Sequence, residues 1–249
     1  MKSYDSEFQR KEFTAADGFK DWYLVRKGAP DKPCIVVLHG HGSFGNQLIC
    51  RKDVIEFATS FLVENDFNII SPNYRGNSWM CEAVQDDLIR ILTAEKALLQ
   101  WNKLFIAAGS MGGTSAMIFA MRHREYVDGI AVQGGATDPD SYIKWLEQQE
   151  LPILKEIKEA LQKAFPTDEL RQRNSVLANS EKLSGMPIFI AHGGADEIIP
   201  VEQVRELKAK MAGEKNFFYE EIDGGNHDSP LGHFSEQVKA LMKLYAAES

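Results

Sequence analysis

Residues 104–123 read LFIAAGSMGGTSAMIFAMRH, and the junction at Ser110 decides how the chain folds. The stretch 104–108 is a short apolar run, the pattern of a strand buried on both faces, and 111–123 has helical periodicity. Ser110 therefore falls on a strand-to-helix turn, the setting in which a sharp, strained backbone lifts a serine hydroxyl above the top of a sheet. Such a turn needs small residues two places before and after the serine, because larger side chains would strike the crossing chain. Ala108 and Gly112 hold those places, so the pattern is A-x-S-x-G in place of G-x-S-x-G, with alanine meeting the same steric demand. The competing reading is a glycine-rich turn cradling phosphate at a helix N-terminus, but neither G-K-[ST] nor a complete G-x-G-x-x-G is present.

Outward from this junction, strand and helix patterns alternate. Strands are expected at 34–38, 67–71, 104–108, 129–133, 187–191 and 217–222, and helices at 51–64, 84–100, 111–123, 201–211 and 234–245. This order predicts an α/β class with a mostly parallel central sheet and helices on both faces. Two further strands, 7–14 and 19–26, form a hairpin around Asp17-Gly18. The segment 138–184 breaks the rhythm: it carries helical periodicity, Pro152 and Pro166, and no strand pattern. It reads as a short helical cap insertion over the carboxyl ends of the strands, where such folds place ligands; the alternative is a solvated excursion away from the site. At 249 residues and 44% hydrophobic content, the whole chain, 1–249, is expected to be one domain.

Composition narrows the function. With 28 basic and 36 acidic residues the net charge is −8, which opposes binding of nucleic acid through bulk electrostatics. No apolar run is long enough to span a membrane and the N-terminus lacks the apolar core of a secretory signal. Cys34, Cys50 and Cys81 are odd in number and widely spaced, suggesting neither disulfides nor zinc, so a cytoplasmic location is expected.

A serine hydroxyl is a poor nucleophile without a base that is itself oriented by a carboxylate. In this fold class the acid and then the histidine follow the serine along the chain. Asp196 lies just after the strand at 187–191, and His227 just after the strand at 217–222, so Ser110, Asp196 and His227 satisfy order and placement together. Asp223, Asp228 and Glu197 are rivals for the acid; His192, His123 and His233 fit loop or helix-end roles better. Donors for a developing oxyanion are expected from the backbone N–H groups of Met111, after the nucleophile, and of His41, in the His39-Gly40-His41-Gly42 loop after the first buried strand. That loop could instead suggest a metal, yet His-x-His gives two ligands on opposite sides of an extended chain and no carboxylate spacing completes it. No metal and no cofactor are expected.

These residues resemble the α/β-hydrolase family, within it the prolyl oligopeptidase-like and dienelactone hydrolase-like branch. VVLHGHG, SPNYRG at 71–76, Asp86-Asp87-Leu88, AGSMGG, PIFIAHGGADEIIP and GGNHD carry the resemblance over nearly all of the chain from Pro33. It implies the α/β-hydrolase fold and the same triad, with Arg75 and Gly76 shaping a loop near the site. Dienelactone hydrolases typically use cysteine where Ser110 stands, and prolyl oligopeptidases carry a large propeller for which the residues before Pro33 leave no room. The expectation is a serine hydrolase acting on a small carboxylic ester. A peptidase or amidase on short peptides, and a non-catalytic binding protein of the same fold, are the alternatives. His39, Arg75, Trp79 and Trp145 are the expected pocket residues. Tyr142, Leu146, Leu151, Ile153, Leu154 and Phe165 of the insertion read as an acyl wall or as the face that seats it, and that apolar face is a candidate homodimer contact.

Overall fold

A strand whose successive side chains are all apolar needs cover on both sides, and the central strands show how it is provided. The computed structural model describes residues 3–30 and 32–246. Its strands are β1 (Gln9–Thr14), β2 (Lys20–Arg26), β3 (Cys34–Leu38), β4 (Asn68–Pro72), β5 (Leu104–Gly109), β6 (Gly129–Gln133), β7 (Ile188–Gly193) and β8 (Phe217–Ile222). They form one sheet in the order β1-β2-β4-β3-β5-β6-β7-β8. β2 runs antiparallel to both β1 and β4, and all other pairings are parallel. Ile35 and Val37 of β3 enter one apolar core; Cys34, Val36 and Leu38 enter another on the opposite face. β5 divides in the same way, with Phe105 and Ala107 on the first face and Leu104, Ile106 and Ala108 on the second.

The helices are α1 (Gln47–Cys50), α2 (Lys52–Val54), α3 (Ser60–Glu64), α4 (Glu82–Leu99), α5 (Met111–Arg122), α6 (Pro139–Leu146), α7 (Pro152–Ala164), α8 (Asp168–Arg173), α9 (Glu202–Lys210) and α10 (Phe234–Ala246). Leu48, Val54, Leu62, Phe234, Val238 and Leu241 place α1 to α3 and α10 on the first face. Val84, Leu88, Ile118, Val204 and Leu207 place α4, α5 and α9 on the second. The sheet is thus mostly parallel and covered on both faces, as the alternating pattern requires.

Within 138–184 no strand forms among the described residues. The Asp138 carboxylate accepts the Ser141 N–H at 3.1 Å to start α6, with Pro139 in its first turn, and Thr167 caps α8 through the Leu170 N–H at 3.2 Å. Leu154, Ile157 and Leu161 form the buried stripe of α7, while Leu151 and Ile153 stand exposed. The insertion is no detached excursion: the Tyr142 hydroxyl donates to Ile198 O at 2.8 Å, two residues from Asp196.

One helix departs from the sequence pattern. The run expected at 51–64 begins at Gln47, breaks at Arg51, where φ is −90° and ψ 121°, and passes through a π-helical turn over Ile55–Thr59. Hydroxyls explain the irregularity. Thr59 Oγ1 donates at 2.7 Å to Leu48 O, a carbonyl that a regular helix would bond through its backbone, and Ser60 Oγ adds a second donor, at 2.8 Å, to the Ile55 O that already accepts the Ser60 N–H in the π-helical pattern. Thr59→Val should therefore cost about 1–2 kcal/mol of stability, measured by chemical denaturation, because it leaves a buried carbonyl without its donor.

Candidate active site

The turn after β5 is built by close contact. Ser110 has φ 59° and ψ −128°, a backbone conformation costing about 1–3 kcal/mol that persists only where the surroundings impose it. Its N–H donates to Gln133 O and Gly134 O, both at 3.1 Å. α5 starts at the next residue and is pressed against two carbonyls: a Cβ on Gly112 would lie 2.5 Å from Leu38 O, and one on Gly113 would lie 2.2 Å from Gly134 O. Gly112 is required as the motif demands, and Gly113, which the motif leaves free, is equally tight. Ala108 is buried in the core beneath the turn.

Asp196 follows β7, and His227 follows β8. His227 Nε2 lies 2.9 Å from Ser110 Oγ, and His227 Nδ1 lies 2.8 Å from Asp196 Oδ2. The arrangement fixes the tautomer: Nδ1–H donates to the carboxylate and Nε2 accepts the serine hydroxyl. Asp196 Oδ1 accepts the N–H groups of Ile198 at 2.8 Å and Ile199 at 2.9 Å. Burial alone would raise the Asp196 pKa. Hydrogen bonds from His192 and His227, the His227 charge and the Ile199 N–H outweigh it and hold the carboxyl well below the usual carboxylate range. The rivals take other roles. Asp223 and Asp228 are exposed, His123 pairs with Gln85 Oε1 at 2.9 Å, and His233 lies 3.0 Å from Glu220.

The loop from His39 to Ser43 passes directly beside the serine, since a Cβ on Gly40 would lie 3.5 Å from Ser110 Cβ. His39 is fully buried, with its ring nitrogens 2.8 Å from Gly40 O and 3.0 Å from Asn73 O. The Tyr74 hydroxyl donates to His39 O, and the Gly42 N–H donates to Asn77 Oδ1 at 2.8 Å. The segment 73–80 thus fastens the loop from the far side. It is itself strained, with positive φ at Tyr74, Arg75, Gly76, Trp79 and Met80, and is anchored by Asp21, which accepts from Asn73 Nδ2 at 2.8 Å and the Arg75 N–H at 2.7 Å. Met111, as the first residue of α5, has an N–H without an intrahelical acceptor.

A cavity of about 80 Å³ opens beside Ser110 and His227 on the α1–α3 side. Val37, Val54, Ala58, Ala107 and Phe234 make it apolar, and Gln47, Arg51 and Asp228 add polar groups. None of the expected pocket residues, His39, Arg75, Trp79 and Trp145, lines it. His39 and Trp79 are sealed inside the loop packing, and Trp145 stacks on Tyr142 at 5.9 Å between centroids. Arg75 is bound by carboxylates: Nε donates to Asp87 at 2.7 Å and Nη1 to Asp17 at 2.6 Å, with the guanidinium over Phe19. The residues that do line the cavity read in the sequence as ordinary helix and strand core. No local signal separates a helical alanine facing a void from one facing a neighbour. Among the described residues, no cluster of three or more His, Cys, Asp or Glu could hold a metal ion, and no helix is long and apolar enough to cross a membrane.

A strained serine between a parallel strand and a helix, with an acid and a histidine brought to it from the ends of later strands, defines the hydrolase class of α/β proteins. The chain belongs to that family: residues 33–185, more than half of its length, match the model of the alpha/beta hydrolase fold. No curated protein sequence gives a match. Among solved structures, the Pyrococcus furiosus esterase Pf2001 is similar at a TM-score of 0.71 and 16% identity, covering 96% of this chain and 92% of its own. An S-formylglutathione hydrolase from Agrobacterium tumefaciens reaches 0.73 at 13% identity, covering 95% of each chain. Est1E from Butyrivibrio proteoclasticus reaches 0.70 at 19%, covering 96% and 99%. At these identities the likeness concerns the fold.

The contacts of Arg75 separate a structural role from substrate binding. Arg75→Met leaves the buried Asp87 unpaired, so it should lower stability by about 3–5 kcal/mol in a denaturant titration while leaving KM for an ester unchanged.

Proposed function

We propose that the protein hydrolyses small carboxylic esters through an acyl-serine intermediate. The hydrogen-bonded relay from Ser110 through His227 to Asp196 carries this reading, because it is what turns a weak hydroxyl into a nucleophile. Ser110 Oγ attacks the ester carbonyl while His227 Nε2 takes the hydroxyl proton, and Asp196 stabilises the imidazolium. The proton then passes to the leaving alcohol. In the second half, water gives a proton to His227, attacks the acyl-serine, and releases the acid with Ser110 restored. The N–H groups of Met111 and His41 are the proposed oxyanion donors, each worth about 2.7–4 kcal/mol of barrier lowering where such donors have been removed. The esterases among the solved relatives support the reaction class.

A small apolar pocket beside Ser110, open to solvent and walled by Val37, Val54, Ala58, Ala107 and Phe234, supports a short acyl chain as the bound group. The proposed compartment is the cytoplasm, supported by three cysteines without disulfides.

Ser110→Ala should reduce p-nitrophenyl acetate hydrolysis by at least about 10³-fold; an undiminished rate contradicts the assignment. Ala58→Leu fills the cavity, and should lower kcat/KM for p-nitrophenyl butyrate about tenfold more than for the acetate. Equal losses on the two esters would show that the acyl chain lies elsewhere. Aminoacyl amides belong in the same panel, since their cleavage at ester-like rates would indicate a peptidase.

A further inference from the structure

The Asp196 side chain is wholly buried, so its carboxylate lone pairs must be met by the protein rather than by solvent. Two are met on Oδ1 by the Ile198 and Ile199 N–H groups, and one on Oδ2 by His227. The remaining side of Oδ2 faces a second histidine. His192, at the end of β7 and wholly buried, places Nε2 3.3 Å from Asp196 Oδ2 and 2.9 Å from Ile199 O. Both neighbours of that nitrogen are acceptors, so Nε2 carries the proton. Nδ1 has no hydrogen-bond partner and packs against Gly134, where a Cβ would lie 3.9 Å away. An unprotonated Nδ1 tolerates such a wall; an N–H there would be an unsatisfied buried donor. His192 is therefore the neutral Nε2–H tautomer.

We infer that His192 is a positioning residue for the Ser110–His227–Asp196 relay, its Nε2–H shared between Ile199 O and Asp196 Oδ2 so that one ring fixes both the carboxylate and the turn that holds it. The inference rests on the esterase reading above. It has a chemical consequence beyond packing. A carboxylate oxygen already engaged by His192 attracts the Nδ1 proton of His227 less strongly than a free one would, so His192 sets the balance between imidazole and imidazolium. The titratable groups facing Asp196 are His192 from β7, His227 from the loop after β8, and Tyr142 from α6, whose hydroxyl is committed to Ile198 O. Among the described residues, no further group supplies a donor to Oδ2.

The test is the pH dependence of kcat/KM on p-nitrophenyl acetate for the wild type, His192→Leu and His192→Gln. Leucine keeps the volume and removes the donor; glutamine restores a nitrogen with two hydrogens, enough for both acceptors. In His192→Leu the acid limb should move up by about half a pH unit and the plateau fall about tenfold, with KM changed less than about twofold. In His192→Gln the limb should return to its wild-type position. A folded His192→Leu with an unmoved limb overturns the inference, as does a glutamine variant that behaves like leucine. Should the leucine variant not fold, nitrogen-15 spectra of the histidine-labelled wild type decide: a protonated Nε2 and bare Nδ1 on His192 support the role, and a protonated Nδ1 overturns it. Ser110→Ala separates the two levels. If that variant still hydrolyses ester, the esterase reading fails; if hydrolysis depends on Ser110 and the limb stays fixed, only the role of His192 fails.

Discussion

The backbone of Ser110 is the constraint on which the site depends. A residue at φ 59° and ψ −128° holds only because β5 and α5 leave the chain no other path. The start of α5 touches Leu38 O and Gly134 O so closely that neither Gly112 nor Gly113 can carry a side chain. Those carbonyls belong to the end of β3 and the turn after β6, the strands flanking β5 in the sheet. Pairing of the three strands therefore sets the direction of the serine hydroxyl, and the strain at Ser110 is offset by burial in the cores above and below the sheet.

The other parts of the site are fastened to the same sheet by polar contacts. Asp21 on β2 anchors Asn73 and Arg75; that segment grips His39 and Gly42, and the His39-Gly40 backbone lies against the serine. On the opposite flank, His192 and the Ile198–Ile199 amides surround the Asp196 carboxylate, which holds His227. Linkage gives this second group a cost in acid. Because the Asp196 pKa is depressed in the folded protein, the stability it contributes is fully present above its unfolded value, about 3.9, and is lost as pH falls toward the lower folded value.

Much of this was legible in the amino-acid sequence, and for physical reasons. Continuous apolar runs such as 34–38 mark strands covered on both faces; the serine and the acid follow two strands of this kind, β5 and β7, the histidine follows the edge strand β8, and the sheet brings the three together. Side-chain direction was not legible. His39, Arg75 and Trp79 sit in loops beside the site, but Asn73 O, Asp87 and the apolar interior claim them, and the two polar partners lie 34 and 12 residues away along the chain. The cavity wall is not legible for the converse reason: Val54 and Ala58 share the spacing of ordinary helix core, and the sequence does not tell a side chain facing a void from one facing a neighbour. For His192 the sequence points to a role within its loop, which the contact with Ile199 O fulfils; its second contact, with the acid itself, is visible only once the turn after β7 is formed.

The most direct test of the central claim, that Ser110 is made nucleophilic by its turn and by His227, is peptide-mapping mass spectrometry after treatment with a fluorophosphonate. Phosphonylation at Ser110 in the wild type, abolished in Ser110→Ala and strongly slowed in His227→Ala, is the expected result. Absence of label on Ser110 in the folded wild type, or an undiminished labelling rate without His227, would contradict it.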